Sequence, residues 1–279
     1  MSEDRLQATR FELKYRVHAQ VALQMREFVR GYLVPDEFSA DKPEYSYHNH
    51  SLYLDSDDLK LYWDVLNSNK NRYKLRIRYY DDNPESPVFF EIKRRMDNAI
   101  LKKRCAVRRS VVAQLLAGQL PEEGHLFSPS PKSFDAIREF CYLKEDLRAS
   151  PKTHVAYRRE AWVSEADNSV RVSFDRDVCS APSFSDELTT SLENYVMPFT
   201  PDVILELKFT GRFPNWFREM VELFGVMQLG AAKYADGVDQ LGSARLNPTY
   251  FPHEHQDFLE KLLEHRTRKA RREIETELK

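Results

Sequence analysis

Glycine is scarce in this chain: eight residues in 279, and none of them builds a GxxxxGK(S/T) loop, so a backbone cradle of the P-loop type is excluded. Cysteine is scarcer still. Cys105, Cys141 and Cys179 are widely spaced and odd in number, and they form no CxxC or Cys/His pattern, which excludes a disulfide framework and a structural zinc site. They read as buried reduced thiols of a cytoplasmic protein. No apolar run approaches the ~20 residues that a membrane-spanning helix needs. The opening MSEDRLQATR is polar and acidic, where a signal peptide requires basic residues and then an apolar core. A strong charge of one sign is missing as well: the formal net charge is −2, so no overall positive field draws the molecule to nucleic acid or an acidic membrane, and any anion site must be local.

What is present is a folding composition, with 42% hydrophobic, 12% aromatic and 31% charged residues. FELKYRV (residues 11–17) reads as a strand, followed by a helix over 18–33 that Pro35 stops. SLYLDS (51–56) reads as a short strand, with Asp55 and Asp57 at the start of a helix running to about Val65. Residues 72–109 read as a β-meander of RYKLRIRYY, VFFEIKRR and AILKKRCAVRR joined by polar turns. Helices are expected from Ser110 and over 134–147, strands over 153–163, 170–178 and 203–209, and a helix from Pro214. DFLEKLLEHRTRKARREIETELK closes the chain as a helix docked at its start and solvated at its end. No repeat or linker divides the sequence. The organisation expected is one domain over 1–245 and a charged helical extension over 246–279.

The strands carry an anomaly. An antiparallel sheet ordinarily has one apolar face and one of mixed polarity. Here Leu13, Tyr15 and Val17, or Tyr73, Leu75, Ile77 and Tyr79, supply the apolar face, and the other face is strongly basic. Lys14 and Arg16, then Arg72, Lys74, Arg76 and Arg78, Lys93 and Arg95, Lys102 and Arg104, Arg159, Arg171 and Lys208 recur on that face, strand after strand. Two unit charges 4 Å apart repel by about 4 kcal/mol at an effective dielectric near 20. Glu12, Glu91 and Glu206 offset part of this and are outnumbered. A solvated basic face paired with acids elsewhere would answer the crowding for one strand. For all of them together, a closed barrel with its charges inward around a polyanion is the more economical answer, and closure also removes the sheet edges. Arginine offers forked donors to phosphate oxygens and lysine a compact point charge, so a row of phosphates suits both. Motifs of single-strand nucleic-acid readers are not evident.

FELKYRV, SLYLDSDDLKLYWDV, RYKLRIRYY, FFEIKRR, LKKRCAV, AYRREAW, VRVSFDRDV, VILELKFTG, PNWFREM and AAKYADGV, in that order over residues 10–242, resemble the tunnel domain of the vacuolar transporter chaperone (VTC) polyphosphate polymerases, within the triphosphate tunnel metalloenzymes. The resemblance implies an α+β fold: an antiparallel eight-stranded β-barrel tunnel flanked by helices. It implies ATP or another triphosphate as ligand, polyphosphate as product, and Mn2+ or Mg2+ as cofactor. Lys14, Arg76, Arg78, Lys93, Lys102, Arg159 and Arg171 would contact phosphates, with Arg16, Lys74, Arg104 and Lys208 on the same faces. Glu206 would ligate the metal, and Lys233 would lie near the terminal phosphate. Tyr157 could stack on the nucleotide base, or be a core tyrosine. The catalytic set expected is Lys233, Arg76, Arg78 and Glu206.

The first strand departs from the wider superfamily, which commonly carries ExExK where this chain has Glu12, Lys14 and Arg16; one carboxylate is lost and positive charge gained. That suits the polymerase branch. The amino-terminal SPX domain and the membrane helices of the eukaryotic polymerases are not in this sequence, so a membrane-protein partner is expected to supply any membrane contact. Hydrolysis in the same tunnel, or binding of a polyanion without catalysis, are the other readings. His48 and His50, like His253 and His255, have spacings open to a metal but are expected to be solvated, His48 and His50 in a loop.

Overall fold

The computed structural model describes residues 10–97, 99–165 and 169–247. One antiparallel sheet organises them. In chain order the elements are β1 (Arg10–His18), α1 (Ala19–Val29), β2 (Val34–Pro35), β3 (Ser46–Asp55), α2 (Lys60–Leu66), β4 (Asn71–Tyr79), β5 (Val88–Met96), β6 (Ala99–Val107), α3 (Val112–Leu116), α4 (Pro131–Leu147), β7 (Ser150–Val163), β8 (Val170–Pro182), β9 (Asp202–Thr210), α5 (Asn215–Leu223) and α6 (Lys233–Leu241). Eight strands follow one another in space as β1-β9-β8-β7-β3-β4-β5-β6, and the two-residue β2 adds to β7. The expected antiparallel fold with flanking helices is borne out. Among the described residues no ladder joins β1 to β6. The sheet rolls far enough, however, for Lys93 on β5 to reach Glu12 on β1 across the seam, at 3.4 Å.

Strand alternation sorts the side chains as the sequence requires. On the convex face Leu52, Leu75, Ile77, Phe90, Ile92 and Val107 pack under α3 and α4 with Ile137 and Phe140. Tyr15, Val17, Phe174, Leu205 and Leu207 pack under α1 and α5 with Met25, Phe217 and Met220. A third core lies on the concave side at one end, where α2 and α6 bring Tyr62, Tyr234, Ala235 and Val238 against Tyr53, Val155 and Ile204.

Two details of β8 put α6 there. Between the pairs Ala156↔Cys179 and Arg158↔Arg176, β8 carries one residue more than β7, and Asp177 has φ of 53°. Such a bulge reverses which face the following residues present. Arg171, Ser173 and Asp175 therefore share the cavity side with Val178 and Ser180 beyond the bulge. Gly237 of α6 then sits against Ser180, so close that a Cβ would lie 2.3 Å from Ser180 Oγ.

Several elements differ from the expectation. β3 begins at Ser46, so His48 and His50 stand on a strand and not in a loop. His50 is buried with its Nδ1 3.1 Å from His154 Nε2, and burial lowers its pKa to about 4. The solvated reading fails for His50 because β3 carries it beneath Tyr79, 5.5 Å from it between ring centroids. Cys105 and Cys141 are buried free thiols, and Cys179 is half-buried. No described helix is long and apolar enough to cross a membrane. His253, His255 and most of the charged extension lie outside the described residues.

Candidate active site

The rolled sheet encloses a cavity of about 1360 Å3 on its concave side. Among the described residues thirteen lysines and arginines line it against four carboxylates, Glu12, Glu44, Asp81 and Glu206. The basic residues singled out from the strand pattern and the family resemblance line this cavity except Arg16, Arg72 and Arg95; the last two lie toward the strand ends, where Arg72 donates to the Asn69 carbonyl and Arg95 to that of Asp97. Arg16 leaves the row because Asp202 holds its guanidinium at 3.2 Å, with the Phe199 ring 5.4 Å away.

Beneath the cations sit carboxylates that each serve several of them. Glu206 on β9, 5% exposed, has Lys208 at 2.5 Å, Lys233 at 3.2 Å, Arg159 at 3.3 Å and Lys14 at 3.4 Å. Burial alone would raise its pKa, but Lys208, Lys233, Lys14 and Arg159 hold it well below the usual carboxylate range. Asp175 on β8 is fully buried and takes both nitrogens of a fork from Arg159, at 2.6 and 2.7 Å, with Lys233 at 2.5 Å. Glu91 on β5, also fully buried, accepts from Arg76 Nε at 2.8 Å and lies 3.0 Å from Lys102 and 3.4 Å from Arg104. Asp36 holds Arg171 at 2.5 Å. Asp175 and Asp36 escaped the sequence reading. Asp175 had a signal, since it continues the Arg171, Ser173, Asp175 alternation; Asp36 follows a two-residue strand that no periodicity announces.

The catalytic candidates gather here. Tyr234 donates to Asp55 at 2.6 Å, and Asp55 also accepts from the backbone N–H groups of Leu61 and Tyr62, both at 2.9 Å. This ties the starts of α2 and α6 together and fixes Lys233, the first residue of α6, over Glu206 and Asp175. Burial would lower the pKa of Lys233, yet Asp175 and Glu206 raise it above the ordinary lysine value. Arg76 donates through Nη1 to Tyr53 at 3.1 Å, and Arg78 through Nη2 to Tyr157 at 2.9 Å. Tyr157 is 4% exposed, with Lys233 4.8 Å and the Arg159 guanidinium 5.2 Å from its ring centroid. Its neighbours are cations that would hold phosphates.

Lys74 differs from its neighbours. It lines the cavity yet forms no ion pair with a carboxylate among the described residues. Burial first, and then the repulsion of Lys14, Lys93 and Arg76, lower its pKa to about 8. Lys102, whose side chain is 45% exposed, also falls to about 8, through partial desolvation first and Arg76, in spite of Glu91.

Two carboxylates of the cavity wall could together hold a metal. β1 and β9 pair Lys14 with Glu206 and Glu12 with Lys208, so Glu12 and Glu206 are diagonal neighbours on one face. Burial would raise the pKa of Glu12, but Lys208 and Lys93 lower it to about 2. Two ionised carboxylates fit a hard divalent cation that takes its remaining ligands from water and phosphate oxygens. Among the described residues there is no group of three or more His, Cys, Asp or Glu side chains able to hold a metal without such help.

The cavity-bearing region coincides with a known family. The VTC domain matches residues 9–242. The chain is 26% identical over 133 residues to vacuolar transporter chaperone complex subunit 2 of Schizosaccharomyces pombe; this spans 45% of the chain and 18% of that protein. Among solved structures it overlaps a putative adenylate cyclase from Bacillus halodurans with a TM-score of 0.46 at 15% identity, covering 81% of this chain and 94% of that one. It overlaps the PH1819 protein of Pyrococcus horikoshii OT3 with a TM-score of 0.39 at 13% identity, covering 83% of this chain and 100% of that one. The family's match runs from β1 through α6 and takes in every strand that walls the cavity: the chain belongs to the VTC domain family.

Proposed function

We propose that this chain is a polyphosphate polymerase, transferring the γ-phosphoryl group of ATP to a growing polyphosphate chain inside the basic cavity. The observation that carries the reading is the surplus of cations: thirteen basic side chains line the cavity against four lining carboxylates and the three behind them, Glu91, Asp175 and Asp36, and among the described residues Lys74 forms no ion pair with a carboxylate. A row of phosphates supplies the missing negative charge. Lys233, Arg159, Arg76 and Arg78 would bind the oxygens of the transferring group, where charge accumulates during phosphoryl transfer. Lys14, Lys74, Lys93, Lys102, Arg104, Arg171 and Lys208 would align donor and acceptor phosphates. Mn2+ or Mg2+ would be held by Glu206, with Glu12 beside it, and when bound would neutralise charge on the phosphate oxygens. Similarity to a protein named as a complex subunit supports assembly with partner proteins.

One observation favours a second reading, a polyanion-binding module without catalysis: the Glu206 carboxylate is already engaged by four cations. Incubation with ATP and Mn2+ separates the readings. Phosphate polymer on a gel, abolished in Glu206→Ala while tripolyphosphate still binds, is the result expected of a polymerase. Free phosphate as the sole product identifies a hydrolase, and no turnover with intact binding identifies the module.

A further inference from the structure

Four aromatic side chains follow one another along the cavity; Arg104 lies over the ring of Phe89, 3.7 Å from its centroid, and donates to the Tyr80 hydroxyl at 3.5 Å. Phe38, 61% exposed, meets Tyr47 edge-on with ring centroids 6.3 Å apart; Tyr47 is 6.3 Å from Tyr80, and Tyr80 is 5.9 Å from Phe89. All four line the cavity. A phosphate chain has no apolar face to offer them.

Asn49 stands among these rings. It lies two residues from Tyr47 on the same face of β3, pairs across with Tyr157 on β7, and precedes the His50↔Tyr79 pair that leads into Tyr80. It lines the cavity and is 1% exposed, yet its Nδ2 has no hydrogen-bond partner among the described residues. A buried amide left unpaired costs about 1–3 kcal/mol, so such a group calls for an explanation, and a ligand that completes the bond is one. The phosphates already have abundant charged donors deeper in the cavity. A neutral amide beside aromatic rings suits a planar heteroaromatic base: the rings stack on its face, and the amide bonds the acceptors along its edge.

We propose that Asn49, Tyr47, Tyr80 and Phe38 form the subsite for the base of a nucleoside triphosphate whose phosphates lie inward, toward Arg78 and Lys233. This rests on the phosphate-cavity reading above. It places the base beside Tyr157, the cross-strand partner of Asn49, and not on the Tyr157 ring itself, where Lys233, Arg159 and Arg78 gather. The subsite would let the cavity distinguish a nucleotide donor from a bare phosphate chain of equal charge.

Calorimetric titration of the full chain with ATP and with tripolyphosphate, at one Mg2+ concentration, tests the assignment. In Asn49→Ala the ratio of ATP affinity to tripolyphosphate affinity should fall roughly tenfold, the equivalent of one hydrogen bond of about 1.4 kcal/mol. Phe38→Ala, at an exposed position that leaves the core intact, should lower the same ratio. Equal weakening of both ligands would show that Asn49 serves phosphate, and an unchanged ratio in both variants would equally overturn the subsite. If the wild-type chain bound ATP in an Asn49-dependent way but not tripolyphosphate, the subsite would stand and the phosphate-cavity reading would fall.

Discussion

Replacing Asp175 by asparagine changes one charge and almost no volume at the centre of the cation network. Asp175 is fully buried; it receives Arg159 at 2.6 and 2.7 Å and Lys233 at 2.5 Å. Burial would raise its pKa, but Arg159 and Lys233 hold it below the ordinary value of 3.8, so its stabilising contribution is fully present at pH 7. A carboxamide has one oxygen to offer, and its amino group would confront a cation. Removing one partner from a buried ion pair costs about 3–5 kcal/mol. Glu206 remains 3.3 Å from Arg159 and 3.2 Å from Lys233, which places the cost near the lower bound. At about 2–4 °C per kcal/mol for a unit of this size, about 3 kcal/mol lowers Tm by about 6–12 °C. Tripolyphosphate should reverse the defect, because its oxygens restore the negative charge, so the ligand-induced rise in Tm should be larger in Asp175→Asn than in wild type. Differential scanning fluorimetry at pH 7, with and without ligand, reads both quantities. An unchanged Tm, or a smaller ligand-induced rise in the variant, would refute the idea that Asp175 is the counter-charge which keeps these cations in place.

Two further outcomes follow from the same geometry. Gly237→Ala should destabilise the fold by about 1–3 kcal/mol despite alanine's better helix propensity, because the new Cβ would lie 2.3 Å from Ser180 Oγ and push α6, and Lys233 with it, off β8; chemical denaturation together with a tripolyphosphate titration would reveal an unperturbed α6 if neither value moved. Raising the pH from 7 to 9 should weaken tripolyphosphate binding, since Lys74 and Lys102 lose their protons near 8. The empty fold should respond in the opposite sense. Between about 8 and the ordinary lysine value of 10.5 the unfolded chain holds protons that the folded chain has released, so stability rises with pH. A Lys74→Met, Lys102→Met chain should flatten the binding profile, and a profile of wild-type steepness in that chain would assign the titration to other groups.

Much of this was legible in the sequence because strand alternation is a strict rule. Glu12 and Lys14, Lys74, Arg76 and Arg78, and Glu206 and Lys208 occupy one face of their strands in the sequence and one wall of the cavity in the structure. The same rule placed Arg16 in the row, and there it failed, because alternation gives the face and not the depth along the strand: Arg16 falls beside Phe199 and Asp202, past the end of the cavity. Asp177 shows another limit. A bulge of one residue reverses the face of everything after it, so the role of Ser180 as the floor under Gly237 could not be counted forward from Arg171. Lys233 came from the family resemblance alone; in the structure it opens α6, and Gly237 lies inside that helix, where it allows close approach. His48, Asn49 and His50 are polar residues that local propensity assigns to a loop. They become strand through pairing with β7, and at His50 with β4 as well, a tertiary effect.

The way the carboxylates are shared bears on how the cavity can be both stable and hungry for anions. Had each cation its own acid, the site would be neutral and a phosphate chain would have to displace an existing partner at every step. Had none a partner, repulsion across the rolled sheet would oppose folding. Glu206 instead serves four cations, Glu91 three and Asp175 two, so each side chain is oriented while the wall as a whole stays positive. Lys74 marks where the sharing stops. It lies next to Arg76 and Lys93 with no carboxylate ion pair among the described residues, and burial first, then the neighbouring cations, lower its pKa to about 8. A bound phosphate there would raise the pKa of Lys74 again, so above about pH 8 binding should take up a proton.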